Sequence, residues 1–237
     1  MPNIINSQRR AFLIAGTTGF AIAAASLGGC GHEDKEGEVT ANEDLMREHG
    51  VIRRSLLIYS EAARRARSSP ASIPLADLLD TAKLFRVFAE DYHERGLEEA
   101  HIFPVVRKLK GPASRLPDIL LAQHQRGREI TDYVQAVAVR NSIAPGEAER
   151  FAATLEAFVA MYEPHTAWED TVVFPAWKEA LGAKNYGAQG DQFEELEHKM
   201  FGHDGFEDAR NKIAKIEVAF GLNDIATVTA PAPPQSA

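Results

Sequence analysis

The chain of 237 residues has very little cysteine and no basic tract, and these shortages exclude several classes of protein. Its one cysteine, Cys30, rules out a disulfide framework within the chain and a metal site built from several thiolates. The formal net charge is −8, and an acidic chain without clustered Lys and Arg is poorly suited to bind nucleic acid. No Ser-His-Asp or Cys-His arrangement and no glycine-rich phosphate loop is evident, so an enzyme would depend on a metal for its chemistry.

The first thirty residues resemble an export signal. Arg9 and Arg10 precede an uncharged stretch that is rich in Ala and Gly and ends in small residues, and its glycines make a membrane-anchoring helix the weaker interpretation. "SQRRAFL" resembles a twin-arginine motif, although Gln8 separates the serine from the arginines. "LGGC", which ends at Cys30, resembles a lipobox, and the alternative is cleavage at a nearby A-x-A-like site. The sequence therefore predicts an exported, periplasmic protein, with a lipid anchor at Cys30 favoured.

Beyond a polar tether at 31–40, apolar residues recur at steps of three and four, which indicates amphipathic helices. The helical segments cover about 41–67, 75–99, 118–140 and 147–173. Short connections containing Pro or Gly separate them. This pattern predicts an all-α, up-down-up-down four-helix bundle at 41–180, followed by accessory helices at 181–222 and a disordered tail at 223–237.

Each of the four helices places one histidine on its inward-facing stripe. A single histidine in such a position is usually a hydrogen-bonded core residue, but one on every helix is a different pattern. The paired spacings are 44 residues (49 to 93) and 41 residues (124 to 165), each about one helix-turn-helix unit, so the histidines return to similar heights. The four residues are His49, His93, His124 and His165.

Carboxylates accompany two of these histidines. Glu169 follows His165 by four residues and shares its helix face. A buried carboxylate without a partner is costly, whereas a metal ion compensates its charge. On the second helix Glu98 follows His93 by five residues, which on a regular α-helix turns the two side chains well apart.

The spacing on the second helix leaves its carboxylate ligand open. Gly96 could accommodate one extra residue as a π-bulge, which would return Glu98 to the face of His93. The alternatives are Glu94 and Glu99. We favour Glu98, because aligning "IFP" with "VFP" places it opposite Glu169.

Together these motifs resemble the hemerythrin-like, or HHE cation-binding, family: a His on the first and third helices and a His-Glu pair on the second and fourth. The resemblance covers about residues 41–180. It implies a non-haem di-iron centre with six ligands, which are His49, His93, Glu98, His124, His165 and Glu169. Some members carry His-x-x-x-x-Asp on the fourth helix, so Asp170 is a rival to Glu169. The extra residue on the second helix departs from the family pattern.

The resemblance also implies a function. In hemerythrins an open coordination position takes O₂, so we expect a protein that binds or senses O₂, or a related small diatomic or peroxide, in the cell envelope. The alternatives are a di-iron oxidase, a peroxidase or nitric-oxide-handling enzyme, and an iron storage or transfer protein. Iron is the expected metal, and imidazole and carboxylate ligands also suit manganese or zinc.

Overall fold

The computed structural model describes residues 39–140 and 142–234, and no strand occurs among them. The predicted export signal at 1–30, its lipobox cysteine and most of the tether lie outside the described residues. From Ala41 onward the described residues belong to one compact unit. None of the helices in this part of the chain is long and apolar enough to cross a membrane.

Helix α1 spans Ala41–Ser68 and follows the predicted stripe. Leu45, Ile52 and Leu56 are buried on the same face as His49. Acidic residues in the first turn and arginines in the last turn complement the helix dipole. The helix ends before Pro70–Ser72, a 3₁₀ turn.

Helix α2 begins as the α-helix Leu75–Leu84, continues as the π-helix Phe85–Ile102 and ends in the α-helical turn Phe103–Val106. A π-helical segment of 18 residues is unusual, because most π-helices are single turns. The widened segment includes Gly96, so the expected local bulge is replaced by a longer change of helical geometry. It brings residues five apart onto one face, as the His93–Glu98 spacing requires.

Helix α3 spans Leu116–Ala138, and α4 spans Pro145–Trp168. A π-helical turn, Glu169–Val173, links α4 to α5, Phe174–Phe201. Helix α6 spans Gly205–Phe220. Helix α1 packs most extensively on α4, and α2 packs on α3, so the segments that carry the four histidines surround a common interior.

The π-helical segments in α2 and after α4 end in the same way. In each, the N–H of a phenylalanine donates to the carbonyl of the glutamate five residues earlier, Phe103 to Glu98 and Phe174 to Glu169. A proline follows each phenylalanine. Proline has no N–H, and in an α-helix its ring clashes with the carbonyl four residues back. The wider π turn relieves that clash directly after both glutamates.

The region at 181–222 is largely helical, and its first helix is continuous with the end of the fourth segment. Within α5, Gly182 has a φ of 69° and a ψ of 159°, which breaks the helical path at a residue without a side chain. Trp177, before this break, is buried against Phe193 and Tyr186, which lie after it. The predicted tail at 223–237 contains the 3₁₀ helix Ile225–Val228, and its disorder stays a prediction.

Candidate metal centre

The six side chains predicted as ligands lie together in the interior. All are buried, with between 0% and 3% of each residue exposed. They come from four segments, α1, α2, α3 and the junction of α4 with its π turn. The helical period therefore located the right face of each helix, and packing brings the faces together. The six are His49, His93, Glu98, His124, His165 and Glu169.

The four histidines form two pairs through their Nε2 atoms. These atoms lie 3.0 Å apart in His49 and His93, and 3.1 Å apart in His124 and His165. We call the first pair the His49–His93 half and the second the His124–His165 half. In each half two nitrogens point to one place, as they would around a cation.

The two glutamates span both halves. Glu98 places Oε1 3.4 Å from Nε2 of His93 and Oε2 3.3 Å from Nε2 of His124. Glu169 places Oε1 3.1 Å from Nε2 of His165 and Oε2 3.5 Å from Nε2 of His49. Each carboxylate thus offers one oxygen to each half, which is the arrangement of a carboxylate that bridges two metal ions.

These four carboxylate oxygens are buried and have no hydrogen-bond partner within the described structure. They lie within ion-pair distance of the ring nitrogens but without hydrogen-bond geometry. A buried carboxylate left in this state is strongly destabilising, and buried polar atoms are nearly always satisfied. A cation between the nitrogens and the oxygens satisfies all of them, so the residues present fit a metal.

The pKa values of the two glutamates show the same conflict. Burial raises the pKa of Glu169 well above its ordinary value, and the neighbouring charge of Glu98 adds to the rise. Burial acts on Glu98 in the same direction, but His93 and His124 outweigh it and hold that pKa well below its ordinary value. Two adjacent carboxylates cannot both carry a charge here unless a cation joins them.

The pKa values of the ligand histidines also shift in opposite directions. Burial lowers the pKa of His49 and, more strongly, that of His165. Burial also acts to lower the pKa of His124, but Glu94, Glu98 and Glu99 reverse the effect and raise it to about 10. The acidic groups around His124 therefore favour a positive charge at this place.

A polar side chain supports each ligand ring from behind, at Nδ1. The distances are 2.7 Å from His49 to Asp170 and 3.0 Å from His124 to Glu99. They are 2.5 Å from His93 to Glu48 and 2.8 Å from His165 to Gln123. Such contacts fix the ring orientation and aim Nε2 at the centre.

Three overlapping groups among the described residues have the geometry to hold a metal. They are Glu98-His124-His165-Glu169, His49-His93-Glu98 and Glu94-Glu99-His124. The third group already contains a cation, because the guanidinium of Arg128 bonds to both Glu94 and Glu99. The first two share Glu98 and correspond to the two halves.

Comparison with known protein families identifies the domain that contains these donors. The hemerythrin HHE cation-binding domain matches residues 40–177, which is more than half of the chain. The chain belongs to this family. Together with the clustered donors, membership makes it a metal-binding protein of a family that typically holds iron.

Relatives of this hemerythrin-family chain occur in mycobacteria. Uncharacterized proteins of Mycobacterium tuberculosis (strain H37Rv) and Mycobacterium bovis are each 41% identical to it over 197 residues. The aligned region covers 83% of this chain and 76% of each relative. No solved structure matches the chain.

The rivals for the carboxylate positions have other roles in this member of the family. Asp170 and Glu99 lie behind His49 and His124, at Nδ1. Glu94 accepts a hydrogen bond from the Tyr162 hydroxyl at 2.7 Å and pairs with Arg128 at 3.1 Å. The geometry therefore favours Glu98 and Glu169, whose oxygens face Nε2 atoms.

The remaining described histidines lie outside the centre. His101 is half-buried with its ring 5.7 Å from that of Phe193. His198 and His203 are exposed, and His203 pairs with Asp208 at 2.6 Å. His32 lies outside the described residues.

Sequence reasoning missed the residues behind the ligands. An arginine follows the ligand histidine by four residues in both α1 and α3: Arg53 bonds to Asp170, and Arg128 to Glu99. Glu48 and Gln123, which also support ligand rings, each immediately precede a ligand histidine. Comparing α1 with α3 would have revealed this repeat, because both His-Arg pairs are 75 residues apart (49 to 124 and 53 to 128).

Proposed function

We propose that this protein is a non-haem di-iron protein that binds or senses O₂, or a related small diatomic or peroxide, in the cell envelope. The observation that carries the proposal is the convergence of four Nε2 atoms and four otherwise unpartnered carboxylate oxygens. The proposed ligands are His49, His93, Glu98, His124, His165 and Glu169. The proposed topology is the up-down-up-down four-helix bundle, with α5 and α6 as accessory helices.

The donor set supports iron. Imidazole with carboxylate and no thiolate is a ligand set that non-haem iron uses, with manganese and zinc as alternatives. Two histidines and two carboxylate oxygens per ion leave positions free in an octahedral ion, whereas they would complete a tetrahedral zinc site. Iron held by these residues would supply redox chemistry toward a small oxygen species.

The surroundings support binding of a small, weakly polar ligand. Phe103 stacks on the ring of His124, and Phe174 stacks on that of His49, each with centroids 5.4 Å apart. Both phenylalanines are buried. These rings exclude water from the sides of the ligands and hold the imidazole planes.

An enzyme is the second candidate, and a specific observation favours it. Tyr92 donates to Glu48 at 3.1 Å and Tyr162 donates to Glu94 at 2.7 Å, so hydroxyl–carboxylate pairs lie next to ligands in both halves. Reduction of peroxide or O₂ consumes protons, and such pairs are a local source. Turnover of peroxide or nitric oxide by the reduced protein would support the enzyme, and a stable, reversible oxygenated spectrum would support the carrier or sensor.

The first test is metal content. Full-length protein loaded anaerobically with Fe²⁺ should retain about two irons per chain by elemental analysis, and His165→Ala should lose at least one of them. His101→Ala is the matched control, because it removes a histidine outside the centre. No retained metal would overturn the proposal, and binding far above two irons would indicate storage instead.

The envelope location has its own test. We propose that the signal at 1–30 exports the folded protein by the twin-arginine route and that Cys30 carries a lipid. Replacing Arg9 and Arg10 with lysines should trap the protein in the cytoplasm, and Cys30→Ser should release it from the membrane fraction. Membrane attachment that persists in Cys30→Ser would contradict the lipid anchor.

A further inference from the structure

We propose that the two halves bind metal with unequal affinity, the His124–His165 half filling first and the His49–His93 half filling second. The proposal rests on the proposed two-metal centre and adds an order of loading. Its consequence is a centre with one firmly held ion and one exchangeable ion. The second position is therefore where a different metal would enter.

The first argument is the number of convergent donors. In the His124–His165 half, one donor atom from each of Glu98, His124, His165 and Glu169 lies within 4.8 Å of all the others. In the His49–His93 half only three donors meet that condition, and Glu169 is not among them. A preorganised fourth donor raises affinity, because the chain need not move to supply it.

The second argument is the burial of the supporting arginines; the acids that they hold differ in the opposite sense, with side-chain exposures of 7% for Asp170 and 21% for Glu99. Behind His124, Arg128 has 7% of its side chain exposed and bonds to Glu99 and Glu94. Behind His49, the side chain of Arg53 is 45% exposed and bonds to Asp170 at 2.6 Å. Water competes for an exposed pair and salt screens it, whereas a buried pair is affected much less.

A surface groove reaches this exposed pair. The groove has a volume of about 380 Å³, and its lining includes Arg53, Leu57 and Glu163 between α1 and α4. Solvent therefore reaches the arginine that positions Asp170, two contacts from the metal position. Motion of Arg53 toward the groove would loosen Asp170 and the ring of His49.

One contact favours tighter metal binding in the His49–His93 half instead. A carboxylate, Glu48, supports His93, whereas the neutral amide of Gln123 supports His165. A carboxylate makes the imidazole a stronger donor, and an outer contact of this kind changes affinity by roughly 10–100-fold. We expect the placement of the fourth donor to outweigh it, because Glu169 already lies within the compact donor group of the His124–His165 half and would have to shift to join that of the His49–His93 half.

Titration of the metal-free, full-length protein with Co²⁺ tests the order. A competing chelator and the cobalt absorption bands separate the binding steps. We expect two steps whose dissociation constants differ by at least about 10-fold. His49→Ala should keep one site with the tighter constant, and His165→Ala should keep one site with the weaker constant.

Milder variants guard against misfolding. Asp170→Asn and Glu99→Gln change equivalent supporting residues by one atom each. Asp170→Asn should weaken only the second step, and Glu99→Gln only the first, each by roughly 10–100-fold. Higher salt should weaken the second step more than the first in the unmodified protein.

The outcomes separate this inference from the proposed function. Two sites with equal constants, or a tighter site that survives in His165→Ala and disappears in His49→Ala, would overturn the order while leaving a two-metal centre. Fewer than two bound ions at saturation would overturn the two-metal centre itself, and the order with it.

Discussion

The two halves of the centre are built from equivalent parts but lie in different surroundings. Each has two histidines, an oxygen from each of Glu98 and Glu169, and at least one histidine backed by an acid that an arginine holds in turn. In the His124–His165 half the arginine is buried, and in the His49–His93 half it is nearly half exposed. Equivalent ligands therefore need not bind equally, because the second layer of residues determines how firmly each ligand is held.

The repeat also shows how the chain builds such a centre. Glu98 and Glu169 are 71 residues apart, as are Phe103 and Phe174, and each phenylalanine precedes a proline. In both cases a π turn follows the glutamate. The same local solution, a widened turn before proline, therefore presents a carboxylate to the interior twice.

The largest expected effect comes from a residue that both halves share. Glu98→Ala removes one oxygen from each half, so both ions should be lost and bound metal should fall to a small fraction of the normal content. Glu217→Ala is a control, because this carboxylate pairs with Arg54 away from the centre. Elemental analysis measures both. Retention of one full equivalent by Glu98→Ala would show that Glu98 does not bridge.

Exchanging the unequal supports should sharpen the comparison. Gln123→Glu gives His165 the kind of support that His93 has, and should tighten metal binding in its half by roughly 10-fold. Glu48→Gln should weaken binding in the other half by a similar factor. Cobalt titration of the two variants measures the ratio between the dissociation constants of the two binding steps. Both changes should increase this ratio. A smaller ratio would mean that the tighter step belongs to the His49–His93 half.

Two glycines, Gly127 and Gly50, show how tightly the surroundings of each half are packed. A Cβ at Gly127 would lie 2.2 Å from the Tyr162 hydroxyl oxygen, so Gly127→Ala should destabilise the protein by about 1–3 kcal/mol. A Cβ at Gly50, beside His49, would meet nothing within 4 Å. Gly50→Ala should instead stabilise its helix by about 0.5–1 kcal/mol. Chemical denaturation of both variants measures these free energies of unfolding, and equal effects would show that Tyr162 moves aside freely.

Glu90 is a buried acid in α2, and its substitution should have an effect on stability that depends on pH. Burial raises the pKa of Glu90 to about 7, although Thr131 donates a hydrogen bond to it at 2.5 Å. A raised carboxyl pKa means that the folded protein holds a proton that the unfolded chain releases. The stabilisation that comes from holding this proton on Glu90 is present at low pH and is lost as the pH rises from about 4.5 to 7.

Glu90→Gln should therefore be more stable than the unmodified protein at pH 8, by roughly 1–2 kcal/mol, because it avoids a buried charge. The advantage should shrink below pH 5. Glu129→Gln, on the exposed side of α3, is the control and should change stability little at either pH. Unfolding curves at several pH values measure the difference, and a constant difference across the range would contradict the raised pKa.

Much of the centre was predictable because helical periodicity reports burial. A histidine on a stripe of apolar residues is buried if the helix packs at all, so His49 and His124 could be identified without a structure. The carboxylates were harder. Glu98 and Glu99 are neighbours that point in different directions. The path of the π-helix determines that Glu98 faces the Nε2 atoms of His93 and His124, while Glu99 faces Nδ1 of His124.

The supporting residues could not be predicted from one helix at a time. Arg53 and Arg128 look like ordinary solvated arginines in the sequence, and Glu48 and Gln123 look like polar residues beside a ligand. Each acts across a helix interface. Arg53, Glu48 and Gln123 contact side chains that are at least 42 residues away in the sequence. Arg128 contacts Glu99, which is 29 residues away. The pattern within a helix carries no information on such pairs.

The sequence by itself determined the helices, their inward faces and the residue types that meet there, because these follow from local periodicity and from the cost of burying polar groups. The tertiary structure decided which oxygen faces which nitrogen, which supporting arginine is buried and which one solvent reaches. Those features depend on how the helices lie against one another. That arrangement is a property of the packed interior as a whole, and the difference between the two halves arises only there.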